Sequence, residues 1–269
     1  MSVRFCPLAS GSSGNSVYIS DGETNLLIDA GLSGVSIERA LANISDEPIK
    51  IDAILITHEH SDHISGAGIL SRRFNAPIFA TPGTWAATDR NKLLGKITVE
   101  NRRFVYPGTP FSYGAFTINA FDIPHDASQP VGYSFNVGGY KLALATDIGE
   151  ATDKIKEQLI DSDVILIESN HDVEMLKNGR YPQHLKKRIL SERGHLSNVN
   201  AGLLLCDIFT SKLKHVFLGH LSDENNRPMI AFDTVCRILI ANDIKINCEN
   251  GFRISVADRF AASTMIELA

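Results

Sequence analysis

The stretch IDAILITHEHSDH, residues 51–63, constrains the fold of this chain more than any other stretch. Its first half is an unbroken apolar run, which is typical of a strand buried on both faces. Its second half places three histidines, a glutamate and an aspartate in one short piece of chain. The sequence therefore predicts a buried strand that ends in a loop of metal-binding side chains, where α/β sheets commonly hold ligands.

Strands and helices alternate along the rest of the chain. The runs VRFC, SVYI and TNLLIDA predict an opening meander, and FTINAFDI, VGYSFNV and YKLALAT predict an antiparallel set with Gly138 and Gly139 as its hairpin turn. Ser33 is a suitable N-cap for the first helix, and Pro82 suits the first turn of another. Later segments with helical patterns are 151–161, 172–178, 182–193, 198–210 and 228–241, and the closing strands are predicted near 244–248 and 252–256.

No Pro/Gly/Ser-rich linker divides this pattern, so we expect one domain over residues 1–269. Two mixed sheets packed face to face, with helices on both outer surfaces, would explain why several strands are apolar throughout. The predicted fold class is therefore α/β, arranged as a four-layer αββα sandwich.

The N-terminal sequence, the net charge and the cysteines indicate where the protein is expected to act. The N-terminus lacks the charged and apolar regions of an export signal, and no apolar run approaches the roughly 20 residues that span a bilayer, so we expect a cytoplasmic protein without a membrane partner. A net charge of −5 argues against unspecific coating of a polyanion. A disulfide framework is not expected, because the cysteines are far apart and mostly within apolar runs: Cys6, Cys206, Cys236 and Cys248.

The histidine loop predicts two adjacent metal subsites. In an extended loop His58 and His60 project to one side, whereas Asp62 and His63 would point to a neighbouring position. Imidazole and carboxylate ligands suit Zn, Mn or Fe, and no cysteine lies nearby to form a structural zinc site. Further candidate ligands each end an apolar strand: His125, Asp147 and His220.

These motifs resemble those of the metallo-β-lactamase superfamily: LLIDAG, THEHSDH, IPHDASQPVGYSF, LALATDIG and LGHLS. The resemblance covers most of the chain and implies an αββα sandwich with a dinuclear centre. It implies that one metal is held by His58, His60 and His125, and the second by Asp62, His63 and His220. Asp147 would bridge the two ions, and Asp29 would orient a ligating imidazole.

The branches of the superfamily can be told apart by other residues. True β-lactamases are exported and carry a cysteine where this chain has Asp147, and glyoxalase II-type thioesterases append a helical segment that is missing here. β-CASP nucleases insert a domain after the bridging aspartate, where only 15 residues precede Asp163. The chain instead resembles the RNase Z-like phosphodiesterases, and the details ASGSSGNS, ESNHDVEML and GHLSDENNRP are similar to the YycJ/WalJ subfamily of bacterial 5′→3′ DNA exonucleases.

A mechanism follows for phosphodiester hydrolysis. A hydroxide bridging two divalent ions would attack phosphorus, and the ions would clamp the phosphate oxygens. Asp62 is therefore counted among the catalytic residues as well as the ligands. We expect His195 to protonate the leaving oxygen, with Glu168 holding its tautomer. The competing interpretation of His195 is a residue of the helix N-cap region beside Ser197.

Substrate contacts are predicted at three places. The loop SGSSGNS, with Ser13 and Asn15, could cradle a terminal phosphate or could be a plain hairpin turn. His171 could line the substrate mouth or serve folding. The basic segment 177–194 could contact a phosphate backbone or could be a solvated face. We assign the two remaining histidines to the surface: His184 and His215.

The sequence thus predicts a metal-dependent phosphodiesterase, a 5′→3′ exonuclease acting on DNA. The same site would suit an RNA-processing enzyme or a hydrolase of small cyclic phosphodiesters. A metal-bound scaffold without activity is a further alternative, which nothing in the sequence favours because the ligands and the Glu168/His195 pair are all present. Metal identity and oligomeric state are left open.

Overall fold

A computed structural model describes residues 2–247 and 251–269. Within these ranges two seven-stranded sheets pack against each other. The strands of the first sheet, in spatial order, are β14 (Ile266–Leu268), β1 (Val3–Ala9), β2 (Ser16–Ser20), β3 (Asn25–Ile28), β4 (Ala53–Leu55), β5 (Ile78–Ala80) and β6 (Arg102–Phe104). Those of the second are β13 (Arg253–Val256), β12 (His215–Gly219), β11 (Val164–Glu168), β10 (Tyr140–Ala145), β9 (Val131–Val137), β8 (Phe116–Asp122) and β7 (Phe111–Tyr113).

Each sheet is antiparallel in one half and parallel in the other. Strands β3 to β6 are parallel in the first sheet, and β10 to β13 are parallel in the second. Because the carboxyl ends of parallel strands meet at one edge, the residues that follow β3, β4, β10, β11 and β12 gather there. This edge carries the candidate site.

Helices cover both outer faces of the sheet pair. They are α1 (Gly34–Ala42), α2 (Ser61–Ile64), α3 (Ala67–Phe74), α4 (Pro82–Arg90), α5 (Asp153–Leu159), α6 (Val173–Asn178), α7 (Gln183–Ile189), α8 (Asn198–Ile208) and α9 (Pro228–Ala241). Ser33 caps α1 through its side chain, as predicted, and Pro82 occupies the first turn of α4. Among the described residues, no helix combines the length and apolar character needed to span a bilayer.

The core is divided into three apolar layers. Phe5 and Phe217, one from each sheet, stack 5.9 Å apart in the layer between the sheets. The neighbour of Phe5, Cys6, points the other way and packs among the residues of the helices that cover the first sheet. Successive side chains of a strand face opposite sides, so a strand with two buried faces must be apolar throughout. The predicted αββα sandwich is confirmed.

Three short edge strands were not predicted: β6, β7 and β14. The residues of β6 are half-buried or exposed, so the strand shows no hydrophobic alternation. The hairpin at Gly138 and Gly139 is present, with positive φ at both glycines. In the predicted strand 244–248, Ile246 forms an isolated bridge with Phe252. Cys248 lies outside the described residues, and the other three cysteines are free thiols.

Candidate metal centre

Three polar residues at the shared edge of the sheets have a left-handed backbone. Asp29 after β3, Asp147 after β10 and His220 after β12 have φ values of 57°, 59° and 54°. This conformation is uncommon for residues other than glycine, with Asn and Asp the best tolerated, and it persists where the surrounding structure imposes it. At all three positions the strand stops and the chain turns sharply, which directs the polar side chains toward one another.

Three histidines form the first cluster. His58 Nε2 lies 3.0 Å from His60 Nδ1, and His60 Nδ1 lies 3.4 Å from His125 Nε2. His58 and His125 are buried and His60 is half-buried. The loop after β4 and the end of β8 thus bring together residues that are 65 positions apart in sequence.

The second cluster is formed by Asp62, His63 and His220, whose candidate ligand atoms lie within 4.8 Å of one another. Asp147 lies between the two clusters. Its Oδ2 is 3.1 Å from His63 Nε2, and its Oδ1 is 3.2 Å from His220 Nε2 and 3.6 Å from His125 Nε2. The structure therefore gathers the other six predicted ligands in two clusters, with the Asp147 carboxylate between them.

The chemistry of these donors fits metal ions. Ring nitrogens of three histidines face one another at about hydrogen-bond distance, and a buried cation among them would remove the repulsion between those that carry lone pairs. With its hydrogen on Nδ1, His63 offers none from Nε2, so the buried Asp147 Oδ2 has no hydrogen-bond partner, which is costly for a carboxylate oxygen. Burial is the main reason that the pKa of His58 lies well below its ordinary value, which leaves this imidazole neutral and able to bind a metal.

Hydrogen bonds set which ring nitrogen is free in three of these histidines. Thr57 Oγ1 donates to Asp29 and accepts from Nδ1 of His58 (3.0 Å), while Nδ1 of His63 donates to Asp29 Oδ2 (2.7 Å). The carbonyl of Gly194 accepts from Nδ1 of His125 (3.2 Å). Each of these three histidines is left with Nε2 toward the cluster. Asp29 has the orienting contact that the resemblance implied.

Asn15 is built into the same framework. It is 5% exposed, its Oδ1 accepts from Nδ1 of His220 (3.2 Å), and its Nδ2 lies 3.1 Å from His63 Nε2. The close approach of its loop requires Gly31, where a Cβ atom would lie 1.7 Å from the carbonyl oxygen of Asp62. Asn15 therefore contacts both histidines of the second cluster, and sequence patterns carry no signal for such a contact.

Ser13 and His171 differ from Asn15 in their surroundings. Ser13 is exposed in the loop before β2. His171 is 1% exposed, and neither ring nitrogen has a hydrogen-bond partner. Burial lowers the pKa of His171 to about 4, although the charge of Glu168 opposes this shift. Substrate contact by Ser13 or His171 stays a prediction, and the burial of His171 favours the alternative role in folding.

Glu168 and His195 form the predicted pair. Glu168 Oε1 accepts from Nδ1 of His195 (2.8 Å), and its Oε2 accepts from the amides of Ile148 and Leu196. Burial lowers the pKa of His195, but Glu168 and Asp147 outweigh it and raise the pKa to about 9. Helix α7 ends at Ile189 rather than near 193, because the chain folds back and the His195 amide donates to the Ile189 carbonyl. This turn places His195 beside the centre.

Two expectations about basic and histidine side chains were wrong. Lys186 is 8% exposed, and its Nζ donates to the carbonyl of Lys177, so it is part of the packing under α7. His215 is also 8% exposed, and its Nε2 lies 2.9 Å from Ser255 Oγ. Both residues were predicted on the surface because their neighbours in sequence are polar. His184 is exposed as expected.

Comparison with known proteins agrees with the architecture. Residues 24–215 match the family model described as the β-lactamase superfamily domain. The chain belongs to the metallo-β-lactamase superfamily. It is 41% identical over 243 residues to exodeoxyribonuclease YycJ of Bacillus anthracis, covering 89% of this chain and 90% of that protein. It is 40% identical over 246 residues to exodeoxyribonuclease WalJ of Streptococcus pneumoniae strain D39, covering 91% of each.

The similarity in fold extends over almost the whole chain. The crystal structure of the metallo-β-lactamase fold protein YhfI from Bacillus subtilis covers 99% of each chain with a TM-score of 0.70 and 16% identity. At that identity the likeness concerns the fold alone. Membership of the metallo-β-lactamase superfamily, together with the clustered histidines and carboxylates, identifies this edge of the sandwich as a site for divalent metal ions.

Proposed function

We propose that this protein is a metal-dependent exonuclease that degrades DNA from the 5′ end. The observation that carries the proposal is the placement of Asp147 against both histidine clusters, with the Glu168/His195 pair at its side. Two relatives named exodeoxyribonucleases, each about 40% identical over some nine-tenths of this chain, support the substrate class.

We assign two divalent ions to the centre, either Zn or Mn, with Fe as a further candidate. Residues His58, His60 and His125 would hold one ion, and Asp62, His63 and His220 the other, with Asp147 shared. Bound there, the ions would supply positive charge for the phosphate oxygens and would acidify water. The chain itself contributes the spacing, because the strand ends and the hydrogen bonds to Nδ1 of the imidazoles determine where the ligand atoms lie.

We assign His195 the role of proton donor to the leaving oxygen. Glu168 accepts the hydrogen on Nδ1 of His195, which leaves Nε2 as the atom that can transfer a proton. Glu168 is itself held by two backbone amides, so the imidazole has a defined position. The side chain of His195 is partly exposed, as a group that must reach a substrate should be.

The surface around α7 offers contacts for the DNA backbone. Arg188 donates to Asp126 (2.5 Å), and Arg193 donates to the carbonyl of His125, so these two arginines tie this region to the metal centre. Arg180 and Lys187 are exposed on the same segment. We therefore assign the phosphate contacts to Arg180 and Lys187 and exclude Lys186, whose ammonium group is buried.

Reversing these two charges tests the assignment. Removal of one phosphate-binding side chain should reduce the slope of log affinity for a single strand against log salt by about 0.7. We expect the double variant Arg180→Glu, Lys187→Glu to flatten the slope by roughly twice that amount. The matched control is Lys50→Glu, an exposed lysine that precedes β4 at the opposite end of the sheet. An unchanged slope in the double variant would contradict the assignment.

The substrate experiment uses purified protein supplied with Mn or Zn in turn. DNA and RNA strands labelled at the 5′ or the 3′ end are digested, and the first labelled product is identified. Immediate release of labelled mononucleotide from 5′-labelled DNA alone is the expected result. Release from the 3′ end would reverse the polarity, and cleavage of RNA or of a small cyclic phosphodiester alone would replace DNA as the substrate.

A further inference from the structure

A cavity of about 620 Å³ adjoins the metal centre on the side of His220. Ser10 lines the cavity, and its Oγ accepts from the backbone amide of His220 at 2.8 Å. Leu221, the residue after His220, lines it as well. The cavity and the metal centre therefore share a wall, although none of the residues assigned to catalysis or metal binding faces into this space.

Hydrogen bonds and an ion pair connect the residues that line the cavity. Arg259 donates through Nη2 to the carbonyl of Leu221 (2.7 Å) and pairs through Nη1 with Asp223 (2.7 Å). Its side chain also approaches Gly11, where a Cβ atom would lie only 3.3 Å from Nε. These contacts join the segments after β12 and β13 to the loop after β1. The volume falls within the range of about 300–1,000 Å³ that is usual for small-ligand sites.

An aromatic ring stands at the wall of this cavity. Phe260 is 79% exposed, which is a large apolar surface to leave in water beside an active site. Arg259 lies on one side of the ring, with the guanidinium carbon 5.8 Å from the ring centroid. An exposed aromatic ring offers a stacking surface for a nucleic-acid base, and such stacking tolerates any base.

The charges of the cavity disfavour phosphate. Two arginines line it, Arg227 and Arg259, against three carboxylates, Asp223, Glu224 and Asp258, which leaves a net charge of −1. Both guanidinium groups donate to carbonyl or carboxylate oxygens of the same segments. A phosphate would meet carboxylates here, whereas a neutral aromatic group with amino hydrogens would find acceptors.

We propose that this cavity is a nucleobase subsite, which takes the unstacked base of a nucleotide next to the phosphate at the metal centre. The proposal rests on the proposed nuclease function. The strand would cross the centre from the basic segment 177–194, whose Arg193 contacts the carbonyl of His125, to the cavity beside His220. Phosphates would lie on the basic side and a base would lie between Phe260 and the carboxylates. The base must leave its stack to enter, so single-stranded ends are better substrates than paired ends.

The test removes the base or the ring and keeps the phosphates. Wild-type protein is given a single-stranded oligonucleotide and two analogues, in which the terminal or the penultimate nucleotide at the degraded end lacks its base. We expect kcat/KM to fall about 10-fold on one analogue, as the loss of one stacked base requires. Phe260→Ala should lose about as much on the intact strand and should not distinguish that analogue from it.

The matched control is Met229→Ala. Met229 is 67% exposed in the first turn of α9, beside the cavity but not lining it, and the variant should behave like the wild type. The subsite is refuted if the wild type cleaves both analogues as fast as the intact strand, or if Phe260→Ala matches Met229→Ala. A wild-type protein that cleaves no DNA at all refutes the nuclease function itself, and the subsite with it.

Discussion

Strand β12 has a buried histidine at each of its two ends, and only one of them belongs to the site. His215 begins the strand, and His220 follows its last residue. Both are less than a tenth exposed. His220 faces Asp147 at 3.2 Å, whereas His215 packs against Phe217 and is near Arg253. Burial alone therefore does not place a histidine in the candidate site; the nearby carboxylate distinguishes His220 from His215.

The largest effect on activity should come from Asp147, the carboxylate that lies near His220 and not near His215. In Asp147→Asn we expect loss of bound metal and a fall in rate beyond the roughly 10⁴-fold limit for losing a general acid alone. Asparagine tolerates the left-handed backbone at this position, so the fold should persist. Metal content by elemental analysis and the thermal unfolding curve check both points, with the exposed Asp122→Asn as control. Full metal content in Asp147→Asn would contradict the comparison.

The second prediction concerns His195, which faces the metal centre but is not assigned as a ligand. His195→Ala should lower the rate by about 10²–10⁴-fold and leave the metal content unchanged. The control is His184→Gln. His184 is exposed, so this variant should retain the wild-type rate and metal content. If His195→Ala loses metal, then His195 is a ligand and the proton must come from elsewhere.

A smaller effect is expected from Asp29, which contacts a proposed metal ligand rather than a metal ion. Asp29 accepts from Nδ1 of His63, and its loss should weaken metal binding by about 10–100-fold. Asp29→Asn is suitable because asparagine also tolerates the φ of 57°. Competition with a graded series of chelators measures the affinity. An unchanged affinity would mean that Thr57 alone orients the loop.

The last effect belongs to the other end of β12 and appears in stability rather than in rate or metal affinity. Burial, followed by the charge of Arg253, lowers the pKa of His215 to about 4 from 6.5. The unfolded chain therefore binds a proton at a higher pH than the folded one. The free energy of unfolding is therefore at its full value above pH 6.5. It decreases as the pH falls toward 4, by at most about 3 kcal/mol.

The measurement is the difference in unfolding free energy between wild type and His215→Asn at several pH values. The difference cancels the contribution of the metal centre, which also loosens in acid. We expect the wild type to lose more stability than the variant between pH 6.5 and 4. Parallel curves would show that His215 is protonated equally in both states.

Prediction from the sequence was accurate for features that a single local pattern identifies. The αββα sandwich followed from apolar strands and amphipathic helices, and helix 228–241 was predicted to the residue. It failed at β6 and β14, which are short edge strands with little burial pattern. It also failed for Lys186 and His215, because polar neighbours in sequence do not reveal what packs over a residue from elsewhere in the chain.

The candidate site shows the same division. The side chains of the 58–63 loop are neighbours in sequence, so their clustering could be deduced from spacing. Asn15 was expected to meet substrate, and its burial against His63 and His220 could not be foreseen, because 48 and 205 positions separate it from these partners.

The sequence by itself determined the fold class, the metal-binding residue types and the location of those residues at strand ends, because these depend on periodicity and on local chemistry. Only the tertiary structure decided which nitrogen of each imidazole is free, which basic side chains are exposed and where a cavity meets the centre. Those features depend on distances between segments that are far apart in the chain, and such distances exist only once the two sheets have packed together.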